Sequence, residues 1–143
     1  MDNLKLENQL CFPLYALSRQ ITNLYRPLLE ELDLTYPQYL VMMLLWEHKQ
    51  LSVKDIGSRL WLDSGTLTPL LKRLEQKGLL LRKRDVHDER LVQISITAAG
   101  EKLKQKAQKV PLALSESLPI DPLKGVQLVK QLNSILQKIT CNN

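Results

Sequence analysis

The sequence predicts a mainly α-helical fold carrying one small β-hairpin, and three observations carry that prediction. Apolar residues recur at three- and four-residue spacing along most of the 143 residues. Helix starts and stops punctuate the chain at regular places. The period switches to two only around Val92, Ile94 and Ile96, which alternate with Gln93 and Ser95.

The elements follow in order. Leu10, Leu14, Leu17, Ile21, Leu24 and Leu28 hold a helical period for five turns. A second stripe, Cys11, Tyr15, Ser18, Thr22 and Tyr25, runs beside it, so this helix is expected to pack on two partners: its own core and a second subunit. Thr35 and Gln38 form a capping box with Pro37 in the first turn, and the nearly all-apolar helix that follows should be buried. Ser52, with Asp55 three residues on, starts a short helix in which Gly57 permits close packing. Residues 62–78 then give a helix with Leu67, Leu70, Leu71 and Leu74 on one face and Gly78 as its stop. "LLLRKR" pairs with the alternating strand through a loop at 85–90. Thr97 caps a helix carrying Leu103, Ala107, Val110 and Leu114, which Pro111 should kink. Asp121 and Pro122 restart the chain as N-cap and first helical residue of a last helix, striped by Val126, Val129, Leu132, Leu136 and Ile139. Trp46 and Trp61, at apolar helical positions, read as core or pocket wall. The count is six helical segments and one hairpin.

Charge narrows the function. The net charge is +5, and residues 1–36 carry three Lys/Arg against five Asp/Glu, residues 54–92 nine against six, and residues 97–143 seven against three. The basic excess thus sits in the middle and C-terminal parts, where it suits a polyanion or simply a solvated face. No apolar run is long enough to span a bilayer, and the acidic, polar start "MDNLKLENQ" shows no signal peptide, so a cytoplasmic protein with no membrane association is expected. The two cysteines, Cys11 and Cys141, are then expected as thiols.

Short helix, tight connection, second helix with a polar outer face, then a basic hairpin is the order of a winged helix-turn-helix. A recognition helix must bury one face and present small and basic residues on the other. Ser64, Gly65, Thr66, Thr68, Pro69, Lys72 and Arg73 lie on or near that outer face. The small residues let the helix end approach phosphates and base edges, and Lys72 and Arg73 reach for the phosphate backbone. The hairpin adds Arg82, Lys83, Arg84 and Arg90, and an arginine at a wing tip suits a minor groove. A solvated hairpin with Arg90 tied to Asp85 or Asp88 is compatible with both roles. Double-stranded DNA is therefore the expected partner. His48 and His87 have no partner at metal-ligand spacing and there is no phosphate-cradling glycine loop, so neither an enzyme nor a metal or other cofactor is expected.

The stretch "LSVKDIGSRLWLDSGTLTPLLKRLEQKGLLLRKRDVHDERLVQISITAAG", with its helix–helix–wing order and Asp-Glu-Arg wing, resembles the MarR family of transcription regulators. "LENQLCFPLYALSRQITNLYRPLLEELDLTYPQYLVMMLLWEH" resembles one branch of it, the organic hydroperoxide-sensing OhrR repressors. The resemblance is strongest over residues 6–100. It implies a MarR-like homodimer of intertwined helices (1–36 and 97–143 for dimerisation, 37–96 for the winged helix-turn-helix) on a pseudo-palindromic operator. It also implies that the N-terminal cysteine reacts with organic hydroperoxides while two tyrosines of the other subunit hydrogen-bond it when reduced. By motif these are Cys11, Tyr25 and Tyr36. Oxidation then frees the operator.

On the residues alone, Cys11 reads either as a small buried hydrophobe or as a reactive thiol. Pro13 fits the first turn of a helix and would put Cys11 at its N-terminus, where the helix dipole favours an anion. Leu10, Phe12 and Leu14 beside it suit a bulky organic peroxide, and Tyr15, one turn on, lines the same pocket or packs in the core. The resemblance also frames the fate of the oxidised thiol. Related regulators carry a resolving cysteine in the fifth-to-sixth helix region, but residues 110–125 here contain none. A mixed disulfide with a low-molecular-weight thiol is therefore expected, ahead of a Cys11–Cys141 disulfide between subunits. Two other functions compete: a MarR-type repressor that binds a lipophilic or phenolic ligand without using Cys11, and a winged helix used for protein assembly.

Overall fold

A computed structural model describes residues 2–141; Met1, Asn142, Asn143 and the side chain of Cys141 lie outside the described residues. The chain forms two compact units, Met1–Val110 and Pro111–Asn143. The first holds a single 3-10 turn (Leu6–Asn8), α1 (Cys11–Glu30), α2 (Tyr36–His48), β1 (Gln50–Ser52), α3 (Val53–Leu60), α4 (Ser64–Gln76), β2 (Leu80–Arg84), β3 (Val92–Ile96) and α5 (Ala98–Ala107). α6 (Val110–Ser117) and α7 (Pro122–Cys141) follow.

The predicted caps form. Thr35 Oγ1 accepts from the Gln38 amide and Gln38 Oε1 accepts from the Thr35 amide, closing the capping box of α2. Ser52 and Thr97 cap α3 and α5 through the Asp55 and Gly100 amides, and Asp121 accepts from the Lys124 amide at the start of α7. Gly78 ends the α4 region with φ +74°, a conformation that favours glycine. Pro13 falls in the first turn of α1, and Cys11 is that helix's first residue.

The sheet corrects the sequence reading. It has three strands, not two, in the order β1-β3-β2. Gln50 pairs with Ser95 and Ser52 with Gln93, while Leu80 pairs with Ile96 and Arg84 with Val92, both antiparallel. β1 is too short to show an alternation, and its last residue doubles as the cap of α3. The wing loop spans 85–91, one residue more than expected. Pro111 accompanies a break and not a kink: without an amide hydrogen it cannot bond back to the Ala107 carbonyl, and the helix is interrupted at Gln108–Lys109. Trp61 is neither core nor pocket wall. It caps α3 with φ 58° and stays 46% exposed.

One core fills the first unit. Leu29, Met42, Leu45, Ile56, Leu67, Leu71, Leu74, Leu80 and Ile94 are buried almost completely, and Ala107 and Val110 belong to the same cluster. It crosses the expected division at residues 36 and 37, because Tyr25, Leu28 and Leu29 of α1 pack with the helices of the winged segment. Two glycines mark close approaches. A Cβ on Gly57 would lie 2.8 Å from the Leu62 carbonyl oxygen, and one on Gly100 only 2.3 Å from that of Leu79. No helix among the described residues is long and apolar enough to cross a membrane.

Candidate functional site

α4 buries Leu67, Leu71 and Leu74 and leaves Ser64, Gly65, Thr66, Pro69, Lys72 and Arg73 exposed, with Thr68 half-buried. The expected free helix end is modified by Asp63. Its Oδ1 accepts from the Thr66 amide at 2.7 Å, and those amide hydrogen bonds hold its carboxyl below the usual range. The carboxylate therefore already occupies the helix N-terminus. The groups α4 leaves exposed on this face are the hydroxyls of Ser64 and Thr66 and the side chains of Lys72 and Arg73.

The wing separates its four basic residues. Lys83 and Arg84 are exposed, and Arg90 is 93% exposed at its side chain while its Nε lies 3.4 Å from Asp88 Oδ1. Of the two carboxylates expected to orient Arg90, Asp88 does so. Asp85 instead shapes the loop by accepting from the His87 and Asp88 amides. Arg82 is turned inward: Glu75 accepts from both its backbone amide, at 3.1 Å, and its Nε, at 3.3 Å. That pair fastens the wing root to α4. A groove of about 440 Å³ lies between α3, α4 and the wing, with Lys54, Ser64, Thr68, Arg82 and Arg90 on its walls. Leu62, Leu67, Leu71 and Val92 line its floor, and of its basic residues Arg82 is held by Glu75 while Lys54 and Arg90 are exposed.

The thiol site is divided in space. Cys11 is exposed at the first position of α1. Phe12 closes a shallow hollow with Lys5, Leu6 and Glu7, whereas Tyr15 is outside it, its ring 5.6 Å from the Arg19 guanidinium carbon. Tyr25 and Tyr36 meet with ring centroids 4.5 Å apart. Burial first, then the neighbouring phenols Tyr36 and Tyr39, push the Tyr25 hydroxyl up to about 12. Burial also raises Tyr36. Both phenols therefore stay protonated, and so remain donors, across the physiological range. Cys11 and Tyr25 lie on the same helix, 14 residues or about 21 Å apart at 1.5 Å per residue. One chain cannot bring that thiol to its own Tyr25.

Sequence reasoning missed Tyr39. It is only 3% exposed, packs 5.8 Å from Tyr25 and 6.5 Å from Tyr36, and meets Trp46 edge-on at 6.2 Å. Trp46 Nε1 donates to the Gly100 carbonyl at 2.8 Å. The phenol pair thus rests on an aromatic shelf anchored to α5. The spacing Tyr36–Tyr39, one helical turn, was the available signal. Cys141 closes α7, its side chain outside the described residues.

Comparison with known proteins gives consistent matches. The family described as "Transcriptional regulator SarA/Rot" matches residues 23–107. The organic hydroperoxide resistance transcriptional regulator of Bacillus subtilis (strain 168) is 56% identical over 135 residues, which is 94% of this chain and 89% of that protein. Reduced AbfR bound to DNA is 39% identical with TM-score 0.77, covering 96% of each chain. Overoxidised AbfR bound to DNA is 36% identical with TM-score 0.78, covering 96% of this chain and 97% of that one. AbfR is a Staphylococcus epidermidis protein.

Proposed function

The chain belongs to the SarA/Rot family of MarR-like winged-helix transcriptional regulators, DNA-binding proteins and not enzymes, and from that premise we propose that it is a homodimeric repressor, acting in the cytoplasm, that senses organic hydroperoxides through Cys11. The observation that carries this reading is the split thiol site. A protonated Tyr25–Tyr36 pair and an exposed Cys11 lie about 21 Å apart on one helix, so that two antiparallel copies of α1 are needed to bring them together. The apolar stripe that would line such a pairing is uncovered: Leu14 is 42% and Leu17 44% exposed. Val126 and Val129 of α7 are uncovered as well, as expected of dimerisation helices.

The chemistry follows from the groups present. The partner's phenols donate to the Cys11 sulfur and favour its thiolate, aided by the N-terminal end of α1. The thiolate attacks one peroxide oxygen. The O–O bond breaks, an S–O bond forms, and the departing alkoxide takes up a proton to leave as alcohol. A small thiol then condenses with the sulfenic acid, forming S–S and releasing water. The added group displaces the phenols. AbfR was solved on DNA in its overoxidised form. By analogy the bulky mixed disulfide, and not added oxygen alone, is the form that releases DNA here. The outer face of α4 and the Lys83, Arg84 and Arg90 wing supply the DNA contacts.

The test is release of operator DNA, followed by anisotropy after adding cumene hydroperoxide and cysteine. Wild type should release and Cys11→Ser should stay bound. Persistent binding in both would make Cys11 structural and give control to a reversible ligand.

A further inference from the structure

Lys77, the residue that ends α4, reaches away from the DNA-facing end of its helix. Its Nζ donates to the Asp33 carbonyl oxygen and lies 3.4 Å from the Asp33 carboxylate and 3.5 Å from Gln38 Oε1. Asp33 belongs to the turn between α1 and α2, and Gln38 to the first turn of α2. Asp33 holds φ 53° there, a left-handed conformation uncommon outside glycine. Gln38 is the only amide or charged side chain among the buried described residues, 4% exposed, and its oxygen also closes the capping box around Tyr36. One cation thus ties a strained turn, a buried amide and the start of α2 to the C-terminal end of α4.

The attachment on the α4 side is firm. The Lys77 amide bonds to the Arg73 carbonyl, and the Gly78 amide bonds to that of Glu75. The Lys77 side chain is 31% exposed but that of Asp33 is 89% exposed, so solvent screens the carboxylate contact and the attachment rests on the Asp33 carbonyl and on the buried Gln38 amide. Ser64, at the opposite end of α4, lies about 20 Å away at 1.5 Å per residue, while Arg73 is one turn from Lys77, so a salt series is what separates a coupling role from a phosphate contact.

We propose that Lys77 is a positioning residue that couples the Tyr36 turn to the recognition helix, making the tilt of α4 follow the state of the thiol site. This deepens the function proposed above and rests on it. When the phenol contacts break, the turn carrying Tyr36 shifts. The Lys77 contacts carry that shift to the end of α4, and the DNA-facing end swings. The contacts are electrostatic and reversible, so they serve a switch that must return when the thiol is reduced.

The experiment compares wild type, Lys77→Met and Lys77→Arg as full-length dimers. Operator affinity is measured reduced and after cumene hydroperoxide plus cysteine, across a salt series. Dimedone trapping gives the rate of Cys11 sulfenic acid formation. The oxidised-to-reduced Kd ratio of Lys77→Met should be at least about fivefold smaller than that of wild type, the low end of typical coupling between sites. Cys11 should oxidise at the wild-type rate, the salt slope should be unchanged, and Lys77→Arg should retain most of the ratio. Lys77→Gln, which keeps a polar head, carries the same test should the methionine variant unfold. A wild-type ratio in Lys77→Met overturns the coupling and leaves the function standing. A salt slope reduced by about one unit overturns it by making Lys77 a phosphate contact. A wild-type protein that never leaves DNA overturns both.

Discussion

Leu45 and Leu17 are both leucines in the register of an apolar helix stripe, yet Leu45 is completely buried and Leu17 is 44% exposed. The contrast extends to whole regions. α2 to β3 form a finished core, with Ile56, Leu67 and Ile94 at 0% exposure, whereas the first half of α1 and most of α7 display leucine, valine and isoleucine to solvent. A stripe records that something covers a helix, not whether the cover lies in the same chain. The winged-helix region is covered within the chain, in part by the second half of α1; in the proposed dimer a second copy covers the exposed stripes of the flanking helices.

The sharpest way to break this comparison is to load each region and vary protein concentration. Leu17→Glu buries an unpaired charge only in a dimer, so self-association should weaken by about 3–5 kcal/mol while the folded core persists. Sedimentation and chemical denaturation read the two effects separately. Leu45→Ala should cost about 2–5 kcal/mol of folding stability even where the dimer is already dissociated. A Leu17→Glu protein that remains dimeric would remove α1 from the interface.

Gly100→Ala probes the finished region at its tightest point. The added carbon meets the Leu79 carbonyl 2.3 Å away and the Ile96 side chain at 2.8 Å. Thermal unfolding should show a loss of about 1–3 kcal/mol, with altered Trp46 fluorescence, because the indole donates to the Gly100 carbonyl. Unchanged stability would mean that α5 has room to move.

The tyrosines at the boundary between the regions give a pH signature. The Tyr25 hydroxyl titrates at about 12 when folded against 10.0 unperturbed. The folded state therefore holds a proton the unfolded chain has lost. The resulting stability is fully present below pH 10 and disappears as pH rises toward 12. Denaturation across that window should show a steeper decline for wild type than for Tyr25→Phe. Parallel curves would mean that the phenol is solvated.

The smallest effect separates two arginine and lysine neighbours of the wing. Lys83→Ala should lower the salt slope of DNA binding by about one unit. Arg82→Met should leave the slope intact and loosen the wing instead, since Glu75 holds that guanidinium.

Much of this was legible in the sequence because it is local. Caps at Thr35, Ser52 and Thr97, the glycine stop at residue 78 and the alternation at 92–96 each need only a few neighbouring residues. What escaped depends on distant partners. β1 exists only through pairing with β3, and Trp61 is exposed because α3 ends on it in a left-handed turn. Arg82 looks like any wing cation until Glu75, seven residues earlier, claims it. For the same reason the motif marked Cys11, Tyr25 and Tyr36, but not the shelf of Tyr39 and Trp46 on which the two tyrosines rest.

The central claim is that the thiol of one chain is activated by the phenols of another, and a mixed dimer tests it most directly. One chain carries Cys11→Ser; the other keeps Cys11 but carries Tyr25→Phe and Tyr36→Phe, with Cys141→Ser in both. The single thiol then lies on the chain without its own phenols. The account predicts that it forms sulfenic acid at close to the wild-type rate, while the Tyr25→Phe, Tyr36→Phe homodimer is at least about tenfold slower, the scale of a lost hydrogen bond to a charged group. A thiol in the mixed dimer that oxidises as slowly as in that homodimer would contradict it.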